Sequence, residues 1–73
     1  MSTNYVQFAK KFGEKVVRIR KQKSLTQEQL ANVSGVERSY MGAIERGERN
    51  PTLRKIYQIS KALKVSAKEL FSF

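Results

Sequence analysis

Between Leu25 and Gly47 the chain reads LTQEQLANVSGVERSYMGAIERG, and no other stretch limits its possible folds as much. Thr26 and Gln29 have the spacing of a capping box, with Leu25 and Leu30 placed as the staple around it, so a helix opens at Thr26. Gly35 breaks that helix, a second runs from about Arg38 to Arg46, and Gly47 ends it. Helices this short are marginal in water by themselves. They require a surrounding bundle, in which the second can stand out from the surface as the reading element of a helix-turn-helix.

The flanking sequence supplies that bundle. Tyr5, Phe8, Ala9, Phe12, Val16 and Ile19 keep a three-to-four spacing, the apolar stripe of an opening helix that runs out at Gln22–Ser24. Gly13 inside it costs roughly 1 kcal/mol against alanine, which suggests close packing of a neighbouring helix. Asn50-Pro51-Thr52 starts a further helix with Leu53, Ile56, Tyr57, Ser60 and Leu63 as its apolar positions. A second capping box is expected where Ser66 caps, Glu69 closes and Val65 staples onto Leu70. There is no strand alternation, repeat or linker. The fold class is all-α, one compact five-helix domain over residues 1–73, with the motif at about 26–46.

Fifteen Lys and Arg oppose six Glu, for a net charge of +9 in 73 residues. Residues 1–25 carry +6, residues 26–50 carry −1 and residues 51–73 carry +4, so the charge flanks the motif. Such a balance fits flanking helices that attract phosphate while the central helix reads bases. Nonspecific binding through charge alone would put the charge on the reading helix itself. The absence of cysteine and histidine excludes disulfides and the common zinc frameworks, and no metal or cofactor is expected. With aspartate also absent, few groups remain for acid–base chemistry, and the expectation is not an enzyme. No apolar run is long enough to cross a bilayer and no charged-then-apolar segment opens the chain, so the expected compartment is the cytoplasm, without membrane contact.

On the second motif helix, at 100° per residue, Met41 and Ile44 form the buried side. Ser39, Gly42, Ala43 and Arg46 fall opposite, with Arg38 and Tyr40 at the edges. Gly42 admits two accounts: a bare backbone that presses into a major groove, or a tolerated surface glycine. Both stay open.

With T-Q-E-Q-L-A, S-G-V, I-E-R-G and R-N-P-T-L in place, the chain resembles the phage-repressor/Cro-like helix-turn-helix family, from about Phe12 to Phe71. Its Y-φ-x-x-I-E-R core and R-N loop look most like the controller proteins of bacterial restriction–modification systems, with phage or chromosomal repressors close behind. The resemblance implies a lambda-repressor-like fold and a transcriptional regulator, repressing or activating, that binds a palindromic double-stranded DNA operator as a homodimer. It assigns base reading to Arg38, Ser39, Tyr40 and Ala43. Phosphate contact falls to Gln27, Arg46, Arg49, Asn50 and Thr52, and a structural ion pair to Arg20 and Glu45. Glu28 matches an acid through which some activating members touch RNA polymerase.

The chain also departs from the family pattern. Glu37 stands where Ser, Thr or Asp usually caps the reading helix, and is a weaker cap. Beside DNA it either repels phosphate or accepts from a cytosine amine, and the sequence leaves both open. The family pairs its subunits through the C-terminal region, so Leu70, Phe71 and Phe73 are the expected dimer interface. The rival class is an antitoxin or adaptor-type protein-interaction module on the same fold, which would need a partner-binding extension beyond the fifth helix.

Overall fold

The computed structural model describes residues 4–73, and among these the only regular elements are five helices. They are α1 (Tyr5–Gln22), α2 (Gln27–Ser34), α3 (Arg38–Glu45), α4 (Leu53–Leu63) and α5 (Ala67–Leu70). No helix among the described residues is long and apolar enough to cross a membrane. Helix α1 lies against α3 and α5, while α2 lies against α3 and α4.

Each start has a local cause. The Asn4 side chain accepts from the Gln7 amide at 2.9 Å and caps α1. At α2 the capping box is complete: Thr26 Oγ1 accepts from the Gln29 amide at 3.0 Å, and Gln29 Oε1 accepts from the Thr26 amide at 2.8 Å. Thr52 caps α4 by accepting from the Lys55 amide at 3.2 Å. Ser66 caps α5, but the expected second box is only half made. Ser66 Oγ accepts from the Glu69 amide, whereas the Glu69 carboxylate lies 3.9 Å from Lys15 Nζ. The turn between α2 and α3 runs through Gly35 at φ 76°, a left-handed conformation that costs a side-chain-bearing residue about 1 kcal/mol or more.

The core takes residues from every helix: Val16, Leu30, Met41, Ile44, Ile59, Leu63 and Leu70 are all but inaccessible to solvent. Each stabilises the fold by about 1.5–3 kcal/mol through burial. Helix α4 corrects the sequence reading. Leu53 and Tyr57 are exposed, at 83% and 58%, while Ile59 fills the core beside Ser60 and Leu63. Leu53 shares a face with the buried Ser60 but stands at the first residue of α4, and Tyr57 falls at the edge of the arc that Ile59, Ser60 and Leu63 bury. Tyr5 and Phe8, read as part of the α1 stripe, are likewise exposed, and the stripe is fully buried only from Ala9 onward.

Gly13 is where α1 meets α3 backbone to backbone. A Cβ built there would stand 2.5 Å from the carbonyl oxygens of both Ile44 and Glu45. In an exposed helix Gly→Ala stabilises by roughly 1 kcal/mol through propensity. Here the obstacle is backbone, which cannot rotate aside, and the sign reverses. Gly13→Ala is expected to destabilise the protein by about 1–3 kcal/mol in a urea titration; a neutral or stabilising result would mean that α1 and α3 separate without cost.

Candidate nucleic-acid interface

Helix α3 is held at its C-terminal end by one carboxylate. Arg20 Nε donates to Glu45 Oε2 at 2.7 Å and Arg20 Nη2 to Oε1 at 3.1 Å, a two-pronged pair. Gln27 Nε2 donates to the same Oε1 at 2.9 Å, and Arg20 Nη1 donates to the Leu25 carbonyl at 3.0 Å. The side chains of Arg20 and Glu45 are 12% and 5% exposed, so the pair is largely desolvated but fully hydrogen-bonded. No buried side-chain nitrogen or oxygen among the described residues lacks a partner. The network joins α1, α2 and α3 through one residue from each, and it sets the angle at which α3 leaves the domain. The end of α3 is closed by backbone bonds from Gly47 to the Ile44 carbonyl at 3.0 Å and from Glu48 to the Ala43 carbonyl at 2.8 Å. This is the paired arrangement of a Schellman motif.

The outer face of α3 carries Arg38 and Ser39, both exposed, and Tyr40, half-buried. Ala43 and Gly42 are buried, which corrects the reading of both as open surface. The Gln27 side chain and the Arg46 guanidinium cover Gly42, at 3.3 and 3.2 Å from where a Cβ would stand. Burial rules out a surface glycine, and a Cβ at this position would press on the ends of the Gln27 and Arg46 side chains. Glu37 occupies the N-cap position but makes no side-chain cap bond.

Of the expected phosphate-contacting residues, Gln27, Arg46 and Arg49 border this face, whereas Asn50 and Thr52 border neither of its grooves. Gln27, Arg38, Ser39, Gly42 and Arg46 border one shallow groove, and Ser39, Tyr40, Ala43, Arg46 and Arg49 border a second. Arg46 is engaged with Glu48 at 3.0 Å, with both side chains solvent-exposed. Arg49 and Lys55 stand over the Tyr40 ring at 5.5 and 5.3 Å from its centroid, a pair of cation–π contacts. Asn50 and Thr52 are exposed in the loop that follows. Lys55 has no counterpart in the sequence reading. Its proximity to Tyr40 comes from the fold of that loop, which no local motif encodes.

The C-terminal residues are placed differently from expectation. Leu70 is fully buried in the chain's own core and offers no surface to a second subunit, because its side chain points from α5 toward the interior. Phe71 stacks on Phe12 and Phe8, with ring centroids 4.9 and 5.8 Å apart, and Phe73 lies 5.5 Å from Phe8. The tail therefore packs on its own α1, while both rings keep an exposed edge.

Glu45→Ala would leave Arg20 buried without its partner, at a cost of about 3–5 kcal/mol. A double-mutant cycle over Arg20 and Glu45, followed by denaturant unfolding, is expected to give similar losses for each single variant and for the pair. Additive losses would mean that the two side chains act independently.

A helix-turn-helix family description matches residues 16–70. The control protein C.BamHI of Bacillus amyloliquefaciens is 49% identical over 63 residues, covering 85% of this chain and 78% of that protein. The crystal structure of the restriction–modification controller protein C.AhdI from Aeromonas hydrophila is 44% identical, with a TM-score of 0.85 over 86% of this chain and 96% of that one. The biofilm master regulator SinR, solved in complex with DNA, is 32% identical, with a TM-score of 0.79 over 84% of this chain and 98% of its own. The arrangement of α2, Gly35 and α3 and the match over most of the chain agree: the protein belongs to the helix-turn-helix family.

Proposed function

We propose that this helix-turn-helix protein is a sequence-specific transcriptional regulator of the controller type, which binds a palindromic DNA operator as a homodimer. The observation that carries the reading is the composition of the α3 face. An exposed Arg38 and Ser39 at its leading end are bordered by Gln27, Arg46 and Arg49, on a frame fixed by the buried Glu45 network. Helix α3 enters the major groove, where Arg38 forks onto guanine O6 and N7 and Ser39 and Tyr40 reach neighbouring base edges. Ala43, nearly buried, contributes only a methyl at the floor of that face. Gln27 uses the second hydrogen of its amide for a phosphate, while Arg49, Asn50 and Thr52 grip the backbone beyond the helix. Arg46 exchanges its exposed pairing with Glu48 for phosphate, at little cost because exposed ion pairs are worth about 0–1 kcal/mol.

The two-fold partner docks on the apolar surface left uncovered by the fold. Leu53 and Tyr57 project from α4, Ile56 lies between them and the aromatic cluster, and the exposed edge of Phe71 continues the surface. This moves the interface from the tail alone to α4 with the tail behind it. Glu28, exposed in the first turn of α2 with no salt bridge among the described residues, is available for the activating contact with RNA polymerase. The likeness to C.BamHI and C.AhdI favours this controller reading over that of a plain repressor.

Selection of bound DNA from a random pool tests the reading. It should return two inverted half-sites with centres about one helical turn, or roughly 34–36 Å, apart. On that operator Arg49→Ala should weaken all base variants alike and lower the salt slope by about 1, while Arg38→Ala should cost about 1–3 kcal/mol at one base position only. Uniform loss from both would remove Arg38 from the base readers. A Leu53→Glu/Tyr57→Glu variant should sediment as a folded monomer and lose operator affinity; a variant that stays dimeric would place the interface elsewhere.

A further inference from the structure

Six glutamates stand among fifteen basic residues, and four of them fall between Glu28 and Glu48. Glu45 holds Arg20 and Gln27, Glu48 holds Arg46, and Glu69 faces Lys15. Glu37 does none of these things. It sits at the N-cap of α3 without making the cap bond, it forms no salt bridge among the described residues, and it is exposed. Its one side-chain hydrogen bond among the described residues comes from the Ser39 hydroxyl, which donates to Oε1 at 2.8 Å. That bond ties the carboxylate to the exposed first turn of α3 and leaves Oε2 open. Glu37 borders both grooves that flank this turn, beside Arg38 and Arg46 on one side and Tyr40 and Arg49 on the other.

A carboxylate at the leading end of a reading helix is repelled by every phosphate it approaches. An ionised carboxylate accepts hydrogen bonds and donates none. In the major groove the guanine edge offers acceptors at N7 and O6, and thymine an acceptor at O4 and a methyl group. Adenine offers its N6 amine beside the N7 acceptor, whereas cytosine presents the N4 amine with no neighbouring acceptor. Cytosine is therefore the one base edge that meets a carboxylate with a donor alone.

Resting on the operator-binding function proposed above, we infer that Glu37 is a specificity-determining residue. It accepts the N4–H of a cytosine at one position of each half-site and rejects guanine and thymine there by setting acceptor against acceptor. Ser39 acts as its positioning residue, holding one carboxylate oxygen so that the other faces the base. The acid contributes discrimination rather than affinity, since its charge opposes binding to every sequence.

The test uses the full chain and the operator recovered from the random pool. Affinities of the wild type and of Glu37→Gln are measured at one salt concentration on a panel with each half-site position substituted in turn. The wild type should show one cytosine whose replacement by thymine weakens binding about tenfold or more, the weight of one good base contact. Glu37→Gln, whose amide both accepts and donates, should reduce that ratio to about threefold or less and leave the other positions unchanged. Its thermal midpoint should fall by no more than a few degrees, because no cap bond is lost and the helix-dipole interaction given up by an exposed group is weak. A common increase in affinity for every sequence, with the ratios preserved, would reduce Glu37 to a repulsive charge and overturn the inference. A pool that yields no enriched motif would instead overturn the operator-binding reading itself, and this inference with it.

Discussion

Glu45 is the group on which the presentation of α3 depends. Its two oxygens take three donors from two other helices, two from Arg20 and one from Gln27. A desolvated carboxylate is tolerated only when its hydrogen-bonding capacity is met, and a network satisfied in this way fixes geometry more than it adds net stability. The steric counterpart lies on the same side of α1. Gly13 and Arg20 are seven residues apart, two helical turns, so the close backbone approach and the ion pair share one stripe. Glu45 supplies both a carbonyl to the first contact and a carboxylate to the second. The C-terminal end of α3 is thus clamped to α1, and its N-terminal end, with Glu37, Arg38 and Ser39, is left at the surface.

That surface is ordered before any ligand arrives. Tyr40 has Arg49 and Lys55 beside its ring and Ser39 is hydrogen-bonded to Glu37, whereas the exposed Arg46–Glu48 pair opens when Arg46 turns to a phosphate. Side chains already restrained lose less conformational entropy on binding, which raises affinity without adding contacts. Arg38 is the exception, since it makes neither a side-chain hydrogen bond nor a salt bridge among the described residues. The long basic side chain at the tip of the helix stays adaptable while its neighbours set the register. The basic flanks of the chain add a long-range attraction that does not depend on any single contact.

Much of this was legible in the sequence because its signals are local. The Thr26–Gln29 box, the Gly35 turn and the Thr52 cap each depend on residues within a few positions of one another, and each stands where its spacing puts it. The breadth of a buried face is not local. Leu53 and Tyr57 have helical spacing with Ile56, Ser60 and Leu63, yet α2 covers only part of that arc, and Ile59 takes the core position instead. The end of α4 was equally hidden, because Lys64 adopts φ 60° at a site where glycine would have announced the stop. In the candidate interface, the motif places Arg38, Ser39 and Tyr40 together on α3 with Gln27 and Arg46 beside them. Their internal engagements were not legible in it. Gln27 over Gly42, Lys55 beside Tyr40 and the tail on Phe8 and Phe12 all join segments distant in sequence.

In the proposed complex α3, clamped through Glu45, enters the major groove once per subunit. Protection of guanine N7 from methylation on the selected operator reads that groove directly. Two protected clusters are expected on one face of the duplex, about 34 Å apart, with adenine N3 in the intervening minor groove still reactive. Protection confined to the minor groove, or a single protected cluster at saturating protein, would contradict this placement of α3.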